Sequence, residues 1–154
     1  MNKYIGTKLI ESKPMTRGDY NKYKGWSIPL DENPADEGYL VKYSDSYKSW
    51  SPKEVFEEAY RLITDMTFGL AVEAAKKGYK AARKGWNGKG MFVVYQKGYP
   101  NGISCNKQTA EAWGMNEGDL FKCEPYLQIQ MVNGSHSMWV PSINDVLAED
   151  WQIV

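Results

Sequence analysis

The chain has 154 residues, 42% of them hydrophobic and 25% charged, with 19 basic and 19 acidic side chains. That composition suits one ordinary globular core, or a small domain with an appended module; zero net charge argues against the field that draws proteins onto nucleic acid or anionic membranes. No run approaches the roughly 18 apolar residues of a spanning helix, and the opening MNKYIGTKLIESK lacks the apolar stretch of a signal peptide, so the cytoplasm is the expected location.

Taken in chain order, Lys3–Ser12 reads as a strand carrying Tyr4, Ile5, Leu9 and Ile10. Thr16 is placed to cap a short helix over Arg17–Lys24, which Gly25 ends. Asp31–Gly38 is an acidic loop. Its first residues resemble a calcium loop, but Pro34 interrupts it, the sixth place is not glycine and the twelfth is Lys42, so the calcium pattern fails. Tyr39–Tyr43 and Tyr47–Trp50 are expected to pair around Ser44–Ser46. Ser51-Pro-Lys-Glu54 has the composition of a helix start, with Ser51 as cap, and apolar spacing carries that helix to Leu62. Residues 1–62 thus form a small ββα-like module. Its many aromatic residues, Tyr20, Tyr23, Trp26, Tyr39, Tyr43, Tyr47 and Trp50, are either its own core or an interaction surface.

A second part begins at Met66. Thr67 opens a helix whose stripe is Phe68, Ala71, Val72 and Ala75, and Gly78 stops it. Strands follow at Tyr79–Lys84 and Met91–Gln96, separated by the glycine-rich turn Gly85–Gly90. Pro100–Gly102 reads as a turn, and Asn106 as the cap of a helix over Lys107–Trp113. Phe121–Cys123 and Tyr126–Val132 are strands, and Asn133-Gly134 turns the latter into Ser137–Val140. Ser142–Asp150 is a loop or short helical turn before a last strand, Trp151–Val154. The expected architecture is α+β, a helix packed on an antiparallel β-sheet, over residues 66–154.

Chemistry is sparse in this chain. Cys105 and Cys123 lie far apart outside any CxxC pattern, and read as small core or strand residues. The single histidine, His136, flanks a hairpin turn. A hydrolase needs an activated water, hence grouped metal ligands or a placed general base; the sequence offers no such grouping, and we expect no catalysis, no metal and no cofactor. A binding role fits better. Arg83-Lys-Gly-Trp-Asn-Gly-Lys-Gly90 sets a tryptophan among glycines that allow close backbone approach to a ligand, although it matches neither GxGxxG nor the Walker pattern.

Met66-Thr-Phe-Gly-Leu-Ala, then Ala82-Arg-Lys-Gly-Trp-Asn-Gly-Lys-Gly-Met91, Pro125-Tyr126 and Leu147-Ala-Glu-Asp-Trp151 resemble the second family of phage Thoeris anti-defence proteins. The resemblance implies a sponge. It binds cyclic nucleotide immune signals such as glycocyclic ADP-ribose, in some members cyclic dinucleotides, without cleaving them, in homotetramers with pockets between protomers. It also places Trp139, Ser142 and Asn144 near the ligand.

The residues can be matched to that chemistry, each beside a plainer role. Trp86 can stack on adenine or anchor the core. Asn87 offers a donor and an acceptor, or is simply a turn residue before Gly88. Arg83 can grip a pyrophosphate, or pair with Glu149 or Asp150. Asp145 can accept from ribose hydroxyls, or cap a turn. The chain departs from the family where Met138-Trp139 replaces a usual Pro-Trp and Pro141-Ser-Ile-Asn-Asp145 replaces Ala-Ser-Gln-Thr-Asp. Ile143 thereby removes a side-chain amide, which leaves the preferred signal open. The expected partners are a small cyclic nucleotide and further copies of the chain.

Overall fold

Thr16 and Gly25 bracket the first helix as their chemistry dictates. The Thr16 hydroxyl accepts from the Asp19 N–H, and Gly25 takes the left-handed conformation (φ 72°) that closes α1 (Arg17–Lys24). The computed structural model describes all residues, Met1–Val154, and they divide into two units, Met1–Arg61 and Leu62–Val154.

In the first unit α1 lies between β1 (Glu11–Pro14) and a hairpin of β2 (Gly38–Lys42) and β3 (Lys48–Pro52), followed by α2 (Lys53–Ala59). The sheet has three antiparallel strands in the order β1-β2-β3, one strand and one helix more than a ββα unit. Three sequence expectations change. Residues 3–10 do not join the sheet, because β2 turns away one residue after Lys42, the partner of Glu11. Ser51 does not cap α2, because it still pairs with Tyr39 in the ladder; Pro52 occupies the cap position without a side-chain bond. And α2 stops at Ala59, since Tyr60 is already extended (φ −123°, ψ 148°).

The conspicuous polar residues of this unit are structural. Arg17 binds Glu32 through two nitrogens, and the buried Asn21 donates to the same carboxylate at 2.9 Å. Those bonds, from Arg17 first and Asn21 second, hold the Glu32 carboxyl down at about 2. The Trp50 indole N–H donates to the Met15 carbonyl at 2.8 Å. Of the aromatic residues Tyr20 is buried, whereas Tyr23, Trp26 and Tyr47 are exposed.

The second unit is a five-stranded antiparallel sheet with one long face-covering helix. Thr67 caps α3 (Phe68–Lys76), its hydroxyl accepting from the Leu70 N–H. The strands are β4 (Ala81–Arg83), β5 (Phe92–Gln96), β8 (Tyr126–Gln130), β9 (His136–Trp139) and β10 (Trp151–Ile153), in the order β10-β4-β5-β8-β9. Between β5 and β8 the chain inserts a hairpin of β6 (Tyr99–Ser104) and β7 (Leu120–Cys123), joined by α4 (Lys107–Trp113) with Asn106 as its cap. A short α5 (Ile143–Val146) precedes β10.

Pro100–Gly102 is not a turn. It lies inside β6, where the register slips between Tyr99 and Ile103 and Gly102 adopts φ 99°; β6 continues the direction of β5, and the chain reverses only through α4 into β7. A bulge and a turn draw on the same Pro/Gly chemistry. The helix stripe also rotates slightly, with Ala71, Ala74 and Ala75 buried and Phe68 and Val72 half-buried. Ala71 and Ala74, with Ala81 and Met66, form the floor on which Trp151 is buried to 1% exposure. Small residues there let the helix approach a sheet that carries a large indole at its edge strand.

Candidate functional site

The glycine-rich loop Gly85–Gly90 leaves the end of β4, where Arg83 pairs with Trp151 across the ladder. That register puts Asp150 beside the root of the loop. Arg83 Nε donates to Asp150 Oδ1 at 2.8 Å and one terminal nitrogen to Oδ2 at 3.4 Å, while the other reaches Asp145 Oδ1 at 2.9 Å. The Gly85 N–H donates to Asp150 Oδ2 at 2.8 Å. A Cβ at Gly85 would sit 2.9 Å from that oxygen, so a side chain there would make the carboxylate shift. The pairing with Asp150 raises the Arg83 pKa, and Asp145 adds to the effect; Arg83 in turn lowers Asp150.

Asp145 is the hub of this network. One carboxylate oxygen accepts from Arg83 and from the Trp86 indole N–H (3.2 Å); the other accepts from the Ser142 N–H (3.1 Å) and hydroxyl (2.7 Å). Its backbone carbonyl takes the Trp151 indole N–H at 2.9 Å. Ser142 and Asp145 thereby form a reciprocal capping box at the start of α5. Burial pushes the Asp145 carboxyl upward, but the bonds from Ser142, Arg83 and Trp86 outweigh it and bring the pKa to about 2.

Around the hub stand three tryptophans. Trp86, Trp139 and Trp151 meet edge to face, with ring centroids 5.9, 5.4 and 6.0 Å apart pairwise, and Phe68 packs against the last two. Such geometry suits the aromatic quadrupoles. The gap among Phe68, Val93, Leu127, Trp139 and Trp151 holds about 10 Å³, room for one water and far too little for a nucleotide.

The structure therefore joins five of the residues singled out from sequence, Arg83, Trp86, Trp139, Ser142 and Asp145, and corrects two assignments. Arg83 faces two carboxylates, so its charge is already neutralised and it does not present an open pyrophosphate clamp; of the two alternative partners it takes Asp150. Asp145 has four donors on its four acceptor positions, which leaves none for a ribose hydroxyl. Asn87 and Asn144 stay outside the network, exposed, with no hydrogen bond from either side chain. Lys89, passed over in the sequence, is exposed beside Asn87 and makes no ion pair, whereas Lys84 is tied to Asp65 at 2.6 Å. No three His, Cys, Asp or Glu side chains are grouped to hold a metal ion.

Residues 66–154 match the Thoeris anti-defense 2-like domain family. The chain is also similar to a Thoeris anti-defense 2 protein of Bacillus phage SP01, 37% identical over 95 residues, which covers 59% of this chain and 97% of that relative. The matched stretch spans the loop, the tryptophan cluster and the Asp145 hub. This chain belongs to the Thoeris anti-defense 2-like family.

Proposed function

We propose that the second unit binds an intact cyclic nucleotide immune signal of the glycocyclic ADP-ribose class and sequesters it without turnover, in the cytoplasm of an infected bacterium. Cyclic dinucleotides are the next candidates. The observation that carries this reading is the division of labour around the loop. Its base is locked by Arg83, Asp145, Asp150 and the tryptophans, while Asn87 and Lys89 on the same loop remain exposed and unpaired. A pre-organised frame with a few unsatisfied polar groups is what tight ground-state binding requires. Asn87 then reads a base edge or ribose hydroxyl, and Lys89 with the glycine N–H groups meets the pyrophosphate.

A pocket of nucleotide size requires a second copy in this proposal. Met138, Val140, Ile143 and Leu147 are large apolar residues left exposed on and after β9, an edge strand of the sheet. Exposed apolar side chains beside an open strand edge support association, and a homotetramer with ligand between protomers accommodates them. Calorimetric titration with glycocyclic ADP-ribose tests the reading. Asn87→Ala and Lys89→Ala are each expected to weaken binding on the order of tenfold, about 1.4 kcal/mol, with unchanged melting temperature. Unaltered affinity in both variants contradicts the assignment.

A further inference from the structure

The segment before β1 has strand composition and no strand partner. Tyr4, Ile5 and Leu9 are 87%, 98% and 45% exposed, and residues 3–10 make no ladder with the rest of the unit. The cause is geometric. β1 pairs only with β2, the last pair is Glu11 with Lys42, and the hairpin then turns over Ser44–Ser46. The segment overhangs the sheet, and the other edge of β1 is bare along its whole length.

The sequence of the overhang is complementary to itself. Laid antiparallel on a second copy with Thr7 opposite Thr7, it sets Lys3 against Glu11, Tyr4 against Ile10 and Ile5 against Leu9. Opposite charges, apolar pairs and a Thr–Thr pair are the cross-strand combinations that stabilise a ladder. Gly6 falls opposite Lys8 and gives that longer side chain room; the Lys8 ammonium is turned to the Tyr43 ring, 5.3 Å from its centroid. A shift by one residue destroys the match, because Lys3 then meets Ile10 and Lys8 meets Ile5.

We infer that Lys3–Glu11 of two copies pair antiparallel about Thr7, so that the first unit is a strand-exchange contact between copies of this chain. The contact is isologous, with the same residues on both sides, as a two-fold axis demands. It extends each three-stranded sheet by a ladder beyond Glu11 and sets Tyr4, Ile5, Leu9 and Ile10 against apolar partners. It is independent of what the second unit binds.

Cysteine substitution in the full chain tests both the contact and its register. Under mild oxidation Thr7→Cys is expected to form a covalent dimer on non-reducing gels, well above the background that the parent chain shows from its own Cys123. Ile5→Cys mixed with Leu9→Cys is expected to give the mixed dimer, while each alone, and Lys3→Cys alone, crosslinks little. The substituted side chains are exposed, so loss of fold does not confuse the result. Thr7→Cys crosslinking no better than the parent, or all positions crosslinking equally, overturns the inference.

Discussion

Asp145 receives two donors on each carboxylate oxygen, and one of them is the Arg83 guanidinium, whose side chain is only 19% exposed. Removing the charge leaves that arginine with Asp150 alone. Asp145→Asn is therefore expected to lower stability at neutral pH by about 2–3 kcal/mol in urea unfolding, within the range for disrupting a half-buried pair. The same carboxylate sets an acid limit. Its folded pKa, about 2, lies below the ordinary 3.8, so its contribution is complete above about pH 4 and is lost as pH falls towards 2. The shift corresponds to roughly 2 kcal/mol, and Asp145→Asn should flatten that part of the pH profile. A profile unchanged by the substitution would show that Asp145 does not hold the hub. Of this network the sequence offered the Arg83–Asp150 pair only as one of two alternatives, and it did not join Arg83 or Trp86 to Asp145. The partners are 62 and 59 residues away, and Asp150 lies 67 residues from Arg83; spacing along a chain does not reveal which carboxylates a strand register brings to an arginine. Asp145 was expected to cap a turn; it serves as the third residue of the α5 capping box, with Ser142 as the cap itself.

At the level of elements the same rule separates what could be read from what could not. Thr16, Thr67 and Asn106 all cap the helices expected of them, and Gly25 and Gly114 close theirs in the left-handed region. Each of these depends on a few consecutive residues. The errors arose where a neighbour decides. Ser51 had the composition of a cap but was claimed by its ladder partner Tyr39, and Pro100–Gly102 had that of a turn but entered a bulged strand. Gly98, between β5 and β6, gives a prediction. A Cβ there would lie 2.2 Å from the Cys123 carbonyl oxygen, at φ 71°, whereas Gly114, at φ 66°, faces open space. Gly114→Ala carries only the left-handed penalty, about 1–2 kcal/mol, and Gly98→Ala must also move the β6–β7 hairpin. Thermal unfolding should rank Gly98→Ala clearly below Gly114→Ala; equal melting temperatures would show that the hairpin yields freely.

The whole chain combines two units of different standing. The second carries the family match, the aromatic cluster and the exposed loop, and the Thoeris anti-defense 2 protein of Bacillus phage SP01 is spanned almost entirely by its match to this chain. About two-fifths of this chain has no counterpart in that match. The α+β character and the helix-on-sheet packing of the second unit followed from periodicity, since α3 and the strands each show their own repeat. The open strand of the first unit escaped that reading, because an overhang is visible only once its neighbour is seen to end. What the molecule does rests on the fate of the ligand. Purified protein should be mixed with glycocyclic ADP-ribose, freed of unbound ligand, heated, and the released material identified by mass. Sequestration predicts the intact signal, recovered in near-stoichiometric amount; a cleaved product, or no captured ligand, contradicts it.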